Sequence, residues 1–586
     1  MFKNLSKIER NILIGILILS FVLIFFRLTR ADLQGDDAHY SFRAIGYFDF
    51  MSSDYGQTTP IQWFKGYAPW WTKLSFHDHP PLVFIIQHLF FKIFGVNDFS
   101  AKLPFAIAGW CLIYIVFLIG KELFNNKAGL LAALFLALNS NHIWISRVGY
   151  LESIVIFFIA LCLLFLIKGN KQSKYLIWMG VCLGLAMISK YTAFLLIPII
   201  FIYALINYKN IFKNKNFWLG LILALIIFSP VIFYNIKVYQ TRGHADVQFT
   251  ALLNLPKTDW PILAQRSVLQ REAYPTIFFY LFKNLGSYTS WPLLALFFIS
   301  FFYLLVKLIF VPEFNKQKSY SFLFLVFIFL SFFFIITGLN NSFYITPLNF
   351  VTALFMGAAL IDVYNQIRHK KILTYVAFCC LIIFSIYFLL FIYNTNHRFD
   401  LHESKFLFGA NRLENLGFQS LTKFISDNLK GKYAGTISMN FTPLQRYNPN
   451  QETTGPWHGK EENRMIYIYD DSTQWFARLW YLERWRLYYF FPFIGTKELS
   501  KLTLNKDEIK NQDLVFKDGF YYLKSTQDIQ LDKSNSSNNC AAALQDTLDN
   551  YPNTEVIELN NETGQAMFKV YKFYDLKPFL ACEMFL

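Results

Sequence analysis

Three absences narrow the field. The sequence contains no Walker loop, no Gly-x-Gly-x-x-Gly dinucleotide fingerprint and no internal repeat, which argues against P-loop NTPases, nicotinamide enzymes and solenoids. Cysteine is scarce, seven in 586 residues, and none of the seven has a zinc-type spacing. Cys111, Cys162, Cys182, Cys379 and Cys380 fall inside apolar runs and read as packing residues. Cys540 and Cys582 are in the tail and could pair if that region lies outside the cytoplasm. Charge is sparse too, at 16% of residues, and unevenly placed: the first 395 residues hold 32 basic and 15 acidic groups, the remainder 22 and 24. The positive excess therefore belongs wholly to the apolar part. It reads as topology signalling and contact with anionic lipid, and nucleic acid is not an expected partner.

What is abundant is apolar length. The chain is 55% hydrophobic and 19% aromatic, with many runs of about 17–22 residues, the length that crosses a hydrocarbon core of roughly 30 Å. About eleven such runs are expected as spans, near 11–28, 103–120, 128–144, 149–167, 175–190, 192–208, 217–237, 290–310, 321–338, 346–362 and 372–393. The first lacks a small-residue cleavage site and is expected to be retained. Alternate loops carry Lys121/Lys127, Lys168/Lys171/Lys174, Lys209/Lys213/Lys215, Lys316/Lys318 and Arg368/Lys370/Lys371, which places them and the N-terminus in the cytoplasm. The first loop, the 238–289 loop, the Asn340–Thr346 turn and the tail then face outward. A soluble nucleotide donor would be on the wrong side for these loops. Residues 81–95 and 273–286 are too short to span and read as interfacial helices.

From about residue 396 the patterning changes to that of a small α/β domain. Phe418–Leu429 reads as an amphipathic helix closed by Gly431, Thr473–Tyr488 as an aromatic-rich helix and Met465–Tyr469 as a strand. Asp513–Lys524 reads as a hairpin turning at Asp518-Gly519, and Glu555–Tyr574 as another turning near Asn561–Gly564. The expected architecture is a polytopic α-helical membrane protein with 11–13 transmembrane helices over 1–395, a first outer loop over 31–82, and an outward-facing α/β domain over 396–586.

The polar residues on the outward side are the candidates for chemistry. Asp36 and Asp37 follow the first span; a carboxylate there is either a general base or part of a solvated loop or helix cap. His77-Asp78-His79 precedes Pro80-Pro81, whose rings stiffen the chain and present His79, either to a phosphate oxygen or merely as a loop histidine. Trp63, Tyr67 and neighbouring rings supply an aromatic wall beside Tyr40. Arg147 and Glu152 lie where two spans meet, as a functional pair or a mutual helix-end ion pair. Lys190, Arg242, His244, Arg266 and Arg271 are further cations, and Asn340–Pro347 forms a turn that includes Tyr344. For a divalent metal, Asp78 and His244 are the candidates, although three adjacent ligands seldom converge on one ion.

Taken together, these pieces resemble the GT-C superfamily, in particular its protein-mannosyltransferase and aminoarabinose-transferase branch. Asp36-Asp37-Ala38-His39-Tyr40 resembles that branch's Asp-Glu-x-x-Tyr motif, and His79-Pro80-Pro81-Leu82 its His/Lys-Pro-Pro-Leu motif. Arg147 with Glu152 resembles an Arg…Asp element, and Gly184–Tyr191 a Gly-Leu-x-x-Leu-Thr/Ser-Lys stretch. Ser229-Pro230 with Asn235, and Tyr344 with Pro347, resemble later motifs. Asp37 stands where the branch has Glu, and Glu152 where it has Asp. The resemblance covers residues 10–365. It implies a one-step, inverting transfer of a sugar from a polyprenyl-phosphate donor to an envelope acceptor such as lipid A, another glycan or a protein, with no required cofactor. By that resemblance Asp36 is the base, with Asp37 and Glu152 beside it in the catalytic set. His79, Arg147, Arg242 and Tyr344 would hold the donor phosphate, while Tyr40, Trp63, Tyr67 and Lys190 would line the sugar and acceptor cavity. A protein O-mannosyltransferase is the neighbouring reading. A lipid-linked sugar transporter would instead place polar groups mid-span, and a scaffold would leave Asp36 replaceable.

Overall fold

The computed structural model describes residues 5–50, 58–64, 68–207, 209–256, 258–260, 285–311, 318–337, 342–399, 413–429, 433–434, 461–462, 465–489, 491–503, 519–526, 539–575 and 577–583. It forms two compact units. One comprises residues 1–29, 51–59 and 69–413; the other comprises 30–50, 60–68 and 414–586.

The first unit is helical. Its elements are α1 (Lys7–Phe25), α2 (Leu82–Phe94), α3 (Asp98–Leu123), α4 (Asn126–Ala137), α5 (Ser140–Arg147), α6 (Leu151–Gly169), α7 (Lys174–Met187), α8 (Leu196–Asn207), α9 (Lys215–Arg242), α10 (Val247–Leu252), α11 (Trp291–Phe310), α12 (Lys318–Thr337), α13 (Leu348–Ile367) and α14 (Lys371–Ile392). Among the described residues seven helices are long and apolar enough to cross a membrane: α1, α3, α6, α9, α11, α13 and the stretch 371–397 that begins with α14. With one bent pair counted as a span, the described residues hold up to eight. The run at 128–144 breaks into α4 and α5 at 64°, because the Asn139 side chain accepts the backbone N–H of His142 and starts a new helix. The runs at 175–190 and 192–208 are apolar but form shorter helices, Lys174–Met187 and Tyr191–Ile206. Residues 82–94 are helical as expected, ending at Gly95 with φ +76°. The helix expected at 273–286 lies outside the described residues, apart from 285–286.

Without a strong hydrophobic drive between helices in lipid, close backbone approach matters. On α7 and α9, Gly180 and Gly220 face each other so closely that a Cβ on Gly180 would lie 1.9 Å from the Gly220 carbonyl oxygen. Gly129 of α4 sits against α3, with the Phe117 carbonyl 2.4 Å from its would-be Cβ.

The second unit contains a five-stranded mixed sheet. Its strands are β1 (Met465–Tyr469), β2 (Phe493–Gly495), β3 (Gly519–Ser525), β4 (Glu555–Asn560) and β5 (Ala566–Phe573), in the order β2-β1-β3-β5-β4. β1 runs parallel to β2 and β3, while β5 is antiparallel to β3 and β4. The β4–β5 hairpin turns at Asn561–Gly564, where the Asn561 side chain accepts the N–H groups of Thr563 and Gln565 and Gly564 takes φ +82°. The hairpin expected at 513–524 is corrected. Residues 513–518 are outside the described set, and β3 already has β1 on one edge and β5 on the other, so no edge remains for a local partner. Ile466, Ile468, Phe520, Tyr522 and Tyr571 form the core, together with a Cys540–Cys582 disulfide.

Residues 30–50, part of the first outer loop in the sequence, fold with this sheet unit. Asp32 donates its N–H to Glu414 O and accepts from the Leu416 N–H at 2.6 Å. The Leu33 N–H donates to Tyr481 Oη, and Tyr488 Oη donates to Phe42 O.

Replacing Gly180 or Gly220 with Leu forces α7 and α9 apart and should cost about 1–3 kcal/mol or more. In a thermal-shift series in detergent both variants should melt earlier than wild type. Gly15→Leu on α1, where a Cβ meets nothing within 4 Å, should leave the midpoint unchanged.

Candidate active site

Asp36 and Asp37 open an 11-residue helix, Asp36–Gly46, so both carboxylates lie in the first turn, where unpaired N–H groups favour negative charge. Their environments differ. Asp37 is buried, and its Oδ1 accepts the N–H groups of Gly35 and Ala38, each at 2.9 Å. Asp36 is half-buried. Behind them Tyr40 is buried beside His39, whose ring lies 5.4 Å from Trp475 and 5.7 Å from Phe476. Arg43 and His39 both reach Phe50 O. Trp63 ends a one-turn helix and is half-buried. Tyr67 lies outside the described residues.

In the membrane unit one hydrogen-bonded trail joins most of the other candidates. Glu152, in the first turn of α6, forms a buried ion pair with Lys190. Lys190 also stands over the rings of Phe343 and Tyr344, at 5.4 and 5.3 Å. Glu152 and Tyr344 line a cavity of about 20 Å³, room for a single water. The next residue, Tyr191, donates to the buried Asp246 carboxylate, which also accepts from Asn235 Nδ2 at 3.1 Å and the Phe249 N–H at 2.9 Å. Burial raises the Asp246 carboxyl above its usual range, against the pull of these hydrogen bonds. From there the Val247 N–H donates to His77 O at 2.8 Å, and the Leu82 N–H to Ile188 O. The His77–Pro81 turn is thus pinned to two elements. Asp78 lies between the histidines, with Oδ2 3.2 Å from His79 Nδ1.

The trail closes on Asp259. Arg242 donates to it from Nε and NH2 at 2.8 and 2.6 Å, His244 Nε2 lies at 2.7 Å and Thr58 Oγ1 donates at 2.7 Å. Burial alone would raise this carboxyl, but the hydrogen bonds from Arg242, His244 and Thr58 outweigh it and hold it at about 2. Trp260 stacks on His77 and meets His244 edge-on at 4.3 Å. Both ring nitrogens of His244, a candidate metal ligand, are engaged by the protein, Nδ1 2.8 Å from Ala245 O and Nε2 2.7 Å from Asp259 Oδ2.

Two expectations are corrected. Arg147 does not present its guanidinium to a ligand. It is 1% exposed, NH1 donates to the carbonyls of Leu23, Ile24 and Phe26, and NH2 donates to Arg27 O. These are the carbonyls a helix end leaves unpaired, so Arg147 terminates α1. Nor does Arg147 pair with Glu152, whose partner is Lys190. Sequence reasoning missed Asp246, Asp259 and Trp260 as individual residues. The signal for Asp246 lay in Tyr191 and Asn235, both within recognised motifs and both bonded to it. Asp259 carries no such local signal, because its partners are 15 to 201 residues away.

Residues 78–234, which carry His79, Glu152, Lys190 and Tyr191, match the family model described as dolichyl-phosphate-mannose-protein mannosyltransferase. Two Bacillus subtilis (strain 168) proteins named as candidate mannosyltransferases are similar over part of the chain. YycA is 33% identical over 153 residues, 25% of this chain and 22% of its own length. YkcB is 27% identical over 191 residues, 30% of this chain and 26% of its own. ArnT from Cupriavidus metallidurans in the apo state superposes with a TM-score of 0.51 at 13% identity, covering 97% of this chain and 98% of ArnT. Its complex with undecaprenyl phosphate gives 0.50 at 14% identity, over the same shares of the two chains. The apo oligosaccharyltransferase of Archaeoglobus fulgidus gives 0.50 at 16% identity, over 88% and 69%. The fold is that of ArnT and the archaeal oligosaccharyltransferase.

Asp259→Asn should destabilise the protein by about 1–3 kcal/mol at neutral pH, by leaving buried donors without a charged acceptor. The folded carboxyl titrates near 2 against an ordinary 3.8, so its contribution is complete above about pH 4 and is lost as pH falls through about 2. Melting curves of wild type and variant should therefore converge on acidification. Arg147→Lys keeps the charge but loses the fork. It should lower the melting midpoint by the equivalent of about 1.5–3 kcal/mol; an unchanged midpoint would overturn this role at the end of α1.

Proposed function

We propose that this protein transfers a sugar from a polyprenyl-phosphate donor to an envelope acceptor, a glycolipid such as lipid A being the favoured one. The observation that carries the reading is the linked set Glu152–Lys190–Tyr191–Asp246–His77–His79, four of whose six residues lie in the segment that matches the family model. Polyprenyl phosphate leaves readily if its developing charge meets fixed cations in a low-dielectric site. His79, Lys190 and Arg242 supply those cations in this reading, with Tyr344 beside Lys190. Asp36 takes the proton from the acceptor hydroxyl as it attacks the anomeric carbon from the face opposite the phosphate, inverting its configuration. Asp37 and Glu152 act as positioning residues: one fixes the start of the Asp36–Gly46 helix, the other holds Lys190. Tyr40, Trp63 and Tyr67 provide ring faces for the sugar. The step needs no nucleotide, and no residue role above requires a metal.

The setting is a plasma membrane with the sheet unit outside the cytoplasm, usually the more oxidising side. The Cys540–Cys582 bond supports this orientation, since disulfides persist in oxidising compartments, and so do the basic loops. A protein Ser/Thr acceptor is the second reading, favoured by the description of the family model matched over 78–234.

Mass spectrometry of envelope lipids and glycoproteins from cells lacking the gene, complemented with wild type or Asp36→Asn, tests both readings. Wild type should restore a sugar-bearing species, and Asp36→Asn should lower it by about 10²–10⁴-fold at equal protein level and melting midpoint. Near-normal product from the variant would remove the assigned base, and appearance of the sugar on protein alone would select the second acceptor.

A further inference from the structure

Outside the trail just described, the described residues of the membrane unit enclose a cavity whose volume fits a ligand. It measures about 470 Å³, within the roughly 300–1,000 Å³ typical of small-molecule sites. Its floor is one face of α3, with Trp110, Cys111 and Tyr114. One wall is Leu17 of α1 and the other is a face of α6 with Leu161 and Lys168. The groove exists because α1 and α6 both pack on α3, and Trp110 ties α1 in place by donating from Nε1 to Leu17 O at 2.9 Å. Leu17 and Trp110 also line a second apolar cavity of about 260 Å³ beside Ile14, Ile18 and Phe21, so the groove continues along α1.

We propose that this groove holds one chain of an anionic phospholipid, whose phosphate meets Lys168. The lining is mostly aliphatic and aromatic, with Lys168 its one charged residue, which suits an acyl chain. Lys168 sits in the last turn of α6, with Lys171 and Lys174 close by in sequence and Lys121 adjoining Glu122, the partner of Lys171. Among the charged residues 121–174 at that end, the acid Glu122 is already paired with Lys171 at 2.7 Å. The mouth is therefore cationic, and a net-negative headgroup complements it where a zwitterionic one does not. Glu152 opens the same helix sixteen residues earlier, about 24 Å away at the helical rise. A headgroup at Lys168 is thus remote from the Glu152–Lys190 pair, and the bound lipid is a resident of the fold, distinct from a reacting donor.

Native mass spectrometry of the full chain in detergent, with equal phosphatidylglycerol and phosphatidylcholine of matched chains, tests this directly. Wild type should retain phosphatidylglycerol about fivefold over phosphatidylcholine, the worth of one lysine beside an anionic headgroup. Lys168→Gln should abolish that preference, and Leu161→Trp should lose both lipids by filling the groove. Should Leu161→Trp fail to fold, Cys111 gives a second measurement. In a Cys379→Ser/Cys380→Ser background, phosphatidylglycerol should slow its alkylation by a maleimide. Equal retention of the two lipids, an unchanged preference in Lys168→Gln, or displacement of phosphatidylglycerol by a polyprenyl phosphate would each overturn the assignment. None of these readouts depends on sugar transfer, so this site and the proposed reaction can fail separately.

Discussion

At the edge of an apolar helix bundle each polar group must be satisfied by the protein or by scarce water, and where segment 58–60 meets the end of α9 the common acceptor is Asp259. Its two oxygens take hydrogen bonds from Thr58, Arg242 and His244. The backbone adds a further bond, from Thr58 N–H to Asp259 O. Because it gathers three donors, the carboxylate stays ionised despite its burial. Trp260 follows directly and fills the space between His77 and His244. The Pro80-Pro81 turn, with its neighbouring histidines, is therefore backed by a rigid wall, and His79 is offered from a fixed backbone.

The cations of this unit divide by what they already hold. Arg147 gives its fork to carbonyls at the end of α1, the geometry a planar guanidinium supplies and an ammonium does not. Arg242 is shared with Asp259 and stays partly exposed, its side chain at 36%. Lys190 has one carboxylate and two ring faces around it. An arginine next to apolar spans signals either a ligand or an architectural need, and only the carbonyls of Leu23 to Arg27 distinguish the two here.

Much of this was legible from the chain because long apolar runs, basic loops and short turn motifs are local signals. The strand Met465–Tyr469, the helix Phe418–Leu429 and the Asn561–Gly564 turn each follow from residues within a few positions. The Asp518-Gly519 turn misled because its strand pairs with distant partners: a local turn signal says nothing of which edges are already taken. The bend inside the run at 128–144 was hidden for a related reason. Apolar length predicts a crossing, but Asn139 starts a second helix inside the run. Of the candidate site, the motif residues were readable, whereas Asp259 and the partner of Glu152 depend on contacts far apart in sequence.

The Asp36–Gly46 helix is encoded between the first two apolar segments, yet it bonds to Tyr488 through Phe42 O, and the residues leading into it, Asp32 and Leu33, bond to Glu414, Leu416 and Tyr481. Its first turn, with Asp36 and Asp37, is thus a graft whose rootstock is made hundreds of residues later. During synthesis the membrane helices can be in place while this short segment still waits for its support. In evolution the two pieces are bound to travel together: a chimera that exchanges the terminal region must carry residues 30–50 with it, or the exchanged region meets a loop cut for a different socket.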